Sequence, residues 1–216
     1  MTVASVQFEE EFILWCIKRF VPCLGIYETL NVCSLWFVSD TGPISLIDAA
    51  FPRIDQLPDG ASVVYDVTTH VHALQFLPDT KHMMLPTRTI FKSCQYFPEE
   101  FSVFFVIKHV PTSKTECVLT ITHLEHIYIA VCLSQKRIIF TYDNKRIRFR
   151  NSVLRTNKWH TIGFSVTGSH VTMTTDCLNV RRHRLKRPFP RYLEISESVI
   201  NIGNCEGCSR AFQVSR

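Results

Sequence analysis

Residues 156–177, TNKWHTIGFSVTGSHVTMTTDC, decide the fold. The first arm sets Trp159, Thr161 and Gly163 against His160, Ile162, Phe164 and Val166. Successive side chains of a strand point to opposite faces, so this strict alternation predicts a half-buried strand. Thr167-Gly168-Ser169 follows, short and glycine-containing, as a hairpin loop requires. The return arm sets Val171, Met173 and Thr175 against Thr172, Thr174 and Asp176, and stops at Cys177. A hairpin that ends on a cysteine predicts a covalent staple to an earlier strand.

Upstream, the same pattern repeats at a regular beat. Phe101 to Lys108, then CVLTITHL, IYIAVCL, RIIFTY and RIRFR each read as a short strand, with Asp143-Asn144 as a compact turn between the last two. Earlier still, Asp59-Gly60 is a turn signal, and Ser62–Val67 and Ala73–Leu77 read as a strand pair. Thr89–Lys92 is a short apolar piece leading into Cys94. Ser198–Ile202 is a late strand. One short helix is expected over Ile44–Phe51, after Gly42-Pro43, and Pro52 stops it. Many short strands separated by turns predict an all-β antiparallel β-sandwich, not βαβ units. No glycine-rich phosphate loop joins a strand to a helix, so nucleotide binding has no support.

Three motifs in order carry a family resemblance: FKSCQYFPEEFSVFFVIK, the Lys158-Trp159-His160 strand, and the TTDC that ends at Cys177. Together they resemble the laminin G-like domain of the thrombospondin N-terminal type, over roughly Ser45 to Gly203. The resemblance implies a concanavalin-like jelly-roll sandwich with a short N-terminal helical extension. It implies a Cys94–Cys177 disulfide, which would stabilise by ~4–5 kcal/mol in the chain-entropy model. It also implies an early-to-late bond from Cys33 to Cys205 or Cys208, and a further long apolar strand after Ile202-Gly203-Asn204. The chain ends at Arg216, where that strand is expected, so the last strand reads as missing and one sheet edge as open.

Length and composition agree with a single domain. A chain of 216 residues suits one all-β sandwich with extensions. Its 46% hydrophobic and 20% charged content is that of a core-forming globular protein. Residues 1–40 read as a leader or extension and 41–216 as the laminin G-like domain. FILWCIKRFVPCLGI is interrupted by Lys18 and Arg19, so it meets the pattern of neither a secretory signal nor a transmembrane span. Nine cysteines nonetheless favour an oxidising, extracellular or secreted address, and an odd count leaves at least one unpaired within the chain. Cys117 and Cys132 lie on adjacent apolar strands, either as core residues or as a cross-strand bond.

Basic charge gathers in the second half. Residues 136–191 hold 14 Lys or Arg against two acids, a local balance of +12 in a chain of +5. Alternation puts Arg146, Arg148 and Arg150 on one face of a strand. Arg181, Arg182, Arg184, Lys186 and Arg187 read as a loop-like cluster. Such strips focus polyanions and read as heparin or nucleic-acid patches, or else as a solvated face that keeps the domain soluble. The resemblance favours the first, because thrombospondin N-terminal domains bind heparin. The expected partner is therefore a heparin-like glycosaminoglycan or an extracellular protein, with no nucleic acid. The role expected is that of an adhesion or extracellular-matrix module. A purely structural domain, or a fragment of a larger secreted protein with no binding of its own, is the rival reading.

Catalysis has little geometric basis. Cys177, His160 and Asp176 could be drawn as a triad, but Asp176 and Cys177 are strand neighbours that point apart. His160 alternates with apolar residues and reads as a packed histidine. No cofactor is expected. Cys205-x-x-Cys208 has only His123-x-x-His126 as a complement for the four ligands zinc needs. No acidic cluster has the ligand density calcium wants.

Overall fold

The computed structural model describes residues 57, 59–67, 71–76, 83–90, 97, 101–109, 115–124, 126–143, 145–150, 154, 158–176, 179–185, 194–202 and 212–215. Among the described residues thirteen strands run in the order β1 (Ala61–Asp66), β2 (Val71–Phe76), β3 (Met83–Pro86), β4 (Phe101–His109), β5 (Glu116–His123), β6 (His126–Leu133), β7 (Arg137–Tyr142), β8 (Lys145–Arg150), β9 (Trp159–Thr167), β10 (His170–Thr175), β11 (Asn179–Arg184), β12 (Ser198–Ile202) and β13 (Phe212–Ser215). Among the described residues a helix of one turn, α1 (Thr87–Ile90), follows β3.

The strands form two antiparallel sheets. The larger has the order β1-β2-β13-β4-β9-β10-β11, the smaller β3-β12-β5-β6-β7-β8. The β9–β10 hairpin lies where the alternation predicts, with Thr167 opposite His170 and Gly168-Ser169 as its two-residue turn. Gly168 has φ +50, the left-handed conformation that such turns demand and glycine adopts without steric cost. Asp143, in the β7–β8 turn, takes φ +43. β1 pairs β2 antiparallel, as the earlier strand pair was read.

One face of each strand fills the space between the sheets. From the larger sheet come Phe101, Val103, Phe105 and Ile107 of β4, Ile162, Phe164 and Val166 of β9, and Val171 and Met173 of β10. The smaller sheet answers with Ile129, Val131 and Leu133 of β6, Ile138, Phe140 and Tyr142 of β7, and Ile147 and Phe149 of β8. Phe164 is the bridge: it stacks on Phe140 at 5.3 Å and meets Phe149 edge-on at 5.9 Å. Such aromatic pairs add to plain area burial, and here they tie the two sheets together.

Several expectations change or fall outside the described residues. The last strand is present: β13, four residues long, sits between β2 and β4 and pairs Val214 with Ile107. Its backbone ladder, not a long apolar run, earns it that place. Thr89 and Ile90, the start of the short apolar piece before Cys94, belong to α1. The helix expected over Ile44–Phe51 and the 1–40 extension both lie outside the described residues, as do Cys33, Cys94, Cys177, Cys205 and Cys208. Cys117 and Cys132 form the cross-strand bond, directly opposite one another on β5 and β6.

A basic edge across both sheets

Lys145-Arg146-Ile147-Arg148-Phe149-Arg150 folds as the edge strand of the smaller sheet. Ile147 and Phe149 enter the core, while Arg146, Arg148 and Arg150 are exposed on the outer face, as the alternation predicts. Arg181, Arg182 and Arg184 differ from the sequence reading. They stand on β11, the edge strand of the larger sheet, and not in a loop. The pairing responsible is Thr172 opposite Arg182 and Met173 opposite Arg181. An edge position explains how so polar a sequence is held in a sheet: one side of β11 needs no further strand, and charged residues there discourage edge-to-edge pairing. Lys186 and Arg187 lie outside the described residues.

The two edge strands meet at the same margin of the sandwich. The Phe149 ring of β8 and the His183 ring of β11 are 6.5 Å apart, edge to face. His183 therefore projects toward the opposite sheet, and alternation gives Arg181 the same direction. Arg182 and Arg184 project the other way, onto the outer face beside His170. The basic residues form a band that wraps one margin, from the outer face of one sheet to that of the other. Among the described residues no ion pair joins Arg146, Arg148, Arg150, Arg181, Arg182 or Arg184 to a carboxylate.

Sequence reasoning counted Lys136 and Arg137 in the basic total without assigning them to the site. Ser134 and Arg137 close the β6–β7 turn through reciprocal backbone bonds of 2.8 and 3.3 Å, supported by the Ser134 hydroxyl. That turn brings Arg137 directly opposite Arg150. Lys136, Arg137, Arg148 and Arg150 together line an open hollow of about 510 Å³. The signal was present in the alternation of Arg137, Ile139 and Thr141, but only the β7–β8 register joins it to Arg148 and Arg150.

His170 reports on the other arm of the band. Desolvation lowers its pKa below the usual 6.5, and the positive charges of Arg182 and Arg184 lower it further. Arg184 is its direct cross-strand neighbour. The sign follows from linkage: the unfolded chain binds the proton more readily, so this group's contribution to stability is present above about pH 6.5 and is lost as pH falls below it. Arg184→Gln is expected to move the His170 midpoint upward in an NMR titration without abolishing the whole shift. An unchanged midpoint would show that the arginines do not act on it.

His160 and Asp176 make a separate, structural pair. His160 Nδ1 lies 3.0 Å from Asp176 Oδ2, and the Thr161 amide donates to Asp176 Oδ1 at 3.0 Å. The Asp176 amide donates to the Thr161 carbonyl at 2.7 Å, and Asp176 takes φ +53. The carboxylate thereby fixes the end of β10 against β9. His160 is buried, as its alternation with apolar residues implied. His123 Nε2, at the β5–β6 turn, lies 3.8 Å from Glu197, and both His123 and His126 meet Tyr128 edge-on. Among the described residues no helix is long and apolar enough to cross a membrane.

Residues 110–213 match the family model described as the laminin G domain. A human thrombospondin-type laminin G domain and EAR repeat-containing protein is 27% identical over 134 residues, 56% of this chain and 20% of that protein. The mouse protein of the same name is 28% identical over 120 residues, 50% of this chain and 18% of that one. The chain thus spans about a fifth of the length of the curated relatives it matches. Among solved structures, the binding domain of botulinum neurotoxin DC, in complex with rat synaptotagmin II, aligns with a TM-score of 0.51 and 11% identity. That alignment covers 72% of this chain and 40% of the other, and the likeness is one of fold. Two antiparallel sheets in this strand order, the match over 110–213 and the relatives together make the chain similar to laminin G-like domains of the thrombospondin type.

Proposed function

We propose that this chain is a non-enzymatic, extracellular adhesion or matrix-type binding module whose ligand is a heparin-like glycosaminoglycan. The observation that carries this reading is the placement of both basic edge strands, β8 and β11, at one margin of the sandwich. A band of one sign raises the local concentration of a polyanion and weakens with added salt. The Cys117–Cys132 bond supports an oxidising compartment. The laminin G resemblance supports a binding role in preference to a catalytic one, and the commitment of His160 and Asp176 to the β9–β10 junction agrees with that. The domain is taken as residues 41–216 after a 1–40 extension, with a Cys94–Cys177 staple.

Elution from a heparin column against salt tests this reading. Oxidised wild-type chain is expected to elute well above physiological salt. A variant with Arg181, Arg182, Arg184, Lys186 and Arg187 changed to Ala is expected to elute earlier while keeping its thermal midpoint. Flow-through of folded wild type at low salt would overturn the glycosaminoglycan assignment and leave a protein partner or a structural role.

A further inference from the structure

We propose that the hollow lined by Lys136, Arg137, Arg148 and Arg150 is a discrete subsite for a sulfate group of the glycan, separate from the β11 arm of the band. This deepens the glycosaminoglycan reading and rests on it. Three features set the hollow apart from a diffuse charged face. Among the described residues its lining is wholly basic, and all four side chains are exposed. Arg137 and Arg150 sit directly opposite one another on β7 and β8, an arrangement that destabilises a sheet through like-charge repulsion. Among the described residues no carboxylate offsets that repulsion by an ion pair with any of the four. A fold that keeps an uncompensated like-charge pair at a fixed register departs from local consistency, and such departures mark functional sites.

The chemistry of the lining selects the ligand group. Guanidinium forks bind tetrahedral oxyanions through paired N–H donors, and a lysine adds a compact point charge. The closed Ser134–Arg137 turn fixes the backbone that carries Lys136 and Arg137. The disulfide ties β5 to β6 at the same level of the sheet, since Cys117 faces Cys132, Cys132 faces Ile139, and Ile139 faces Arg148. The site is thus built on braced strands. Among the described lining residues none is aromatic, and a single-stranded nucleic acid would call for an aromatic stacking platform.

The test compares wild type, the double variant Arg137→Gln/Arg150→Gln and the double variant Arg182→Gln/Arg184→Gln. Thermal midpoint and affinity are measured with a sulfated heparin octasaccharide, an unsulfated heparosan octasaccharide, inorganic sulfate and a single-stranded oligonucleotide. Without ligand, Arg137→Gln/Arg150→Gln is expected to match or exceed the wild-type midpoint, because the repulsion is gone. With the sulfated octasaccharide its affinity is expected to fall at least tenfold and its ligand-induced rise in midpoint to shrink. The β11 variant is expected to lose affinity while keeping its preference for the sulfated over the unsulfated chain. If wild type binds the sulfated chain and the hollow variant binds within twofold of it, the subsite is overturned and the glycosaminoglycan reading stands. If wild type binds neither octasaccharide at low salt, that reading fails and takes the subsite with it. A midpoint raised by millimolar inorganic sulfate but by neither octasaccharide would make the hollow a free-anion site and overturn the glycan assignment. Tighter binding of the oligonucleotide than of the sulfated chain would overturn it as well.

Discussion

Phe164→Ala is expected to lower the unfolding free energy by about 3–5 kcal/mol, the range for removing a large aromatic side chain from a packed core. Phe164 has no exposed surface and touches Phe140 and Phe149 of the opposite sheet. Its deletion removes two inter-sheet ring contacts and leaves a cavity between rigid strands that cannot close over it. The check is a shift of the urea midpoint at constant slope, which separates a change in stability from a change in the denatured state. A loss below about 1 kcal/mol would mean that the two sheets are held together elsewhere. The same ring contact bears on function, because Phe149 anchors β8, from which Arg148 and Arg150 project. Heparin retention in this variant is expected to fail only at temperatures where the fold does.

Gly163→Val is expected to cost about 1–3 kcal/mol through overpacking. A Cβ added at Gly163 would lie 2.5 Å from Phe104 Cε1, 2.8 Å from its Cδ1 and 2.8 Å from Thr174 Oγ1. Phe104 and Thr174 are the cross-strand neighbours of Gly163 on β4 and β10, so the crowding comes from both sides. The Phe104 ring covers the bare backbone of β9, and a side chain at residue 163 would have to displace it. Thermal unfolding of Gly163→Val beside Gly163→Val/Phe104→Ala checks the cause. The double variant is expected to recover part of the loss relative to Phe104→Ala alone. No recovery would assign the cost to something other than the ring.

Much of the architecture could be read directly. Alternation in β8 named the buried and exposed faces correctly because a strand's side-chain period of 2 is a local, covalent property. The β9 arm, read as half-buried, is buried on both faces, as is β10, because what covers a sheet's outer face is not written in a strand's own period. The Cys117–Cys132 bond stayed one of two alternatives because adjacency in sequence pattern does not fix register. Register puts the two residues opposite one another. β11 was misread for a related reason. Arg-Arg-His-Arg carries no hydrophobic alternation, and its strand geometry comes from the ladder with β10 instead of from its own side chains.

By itself, then, the sequence determined the all-β class, the hairpin at Gly168, the two faces of β8 and the concentration of basic charge in the second half. Only the tertiary structure decided that β8 and β11 share one margin, and that Lys136 and Arg137 join Arg148 and Arg150 around one hollow. Those residues are brought together by pairing between strands and by packing between sheets. Both are long-range and set by the whole core, so no local pattern along the chain could have shown them.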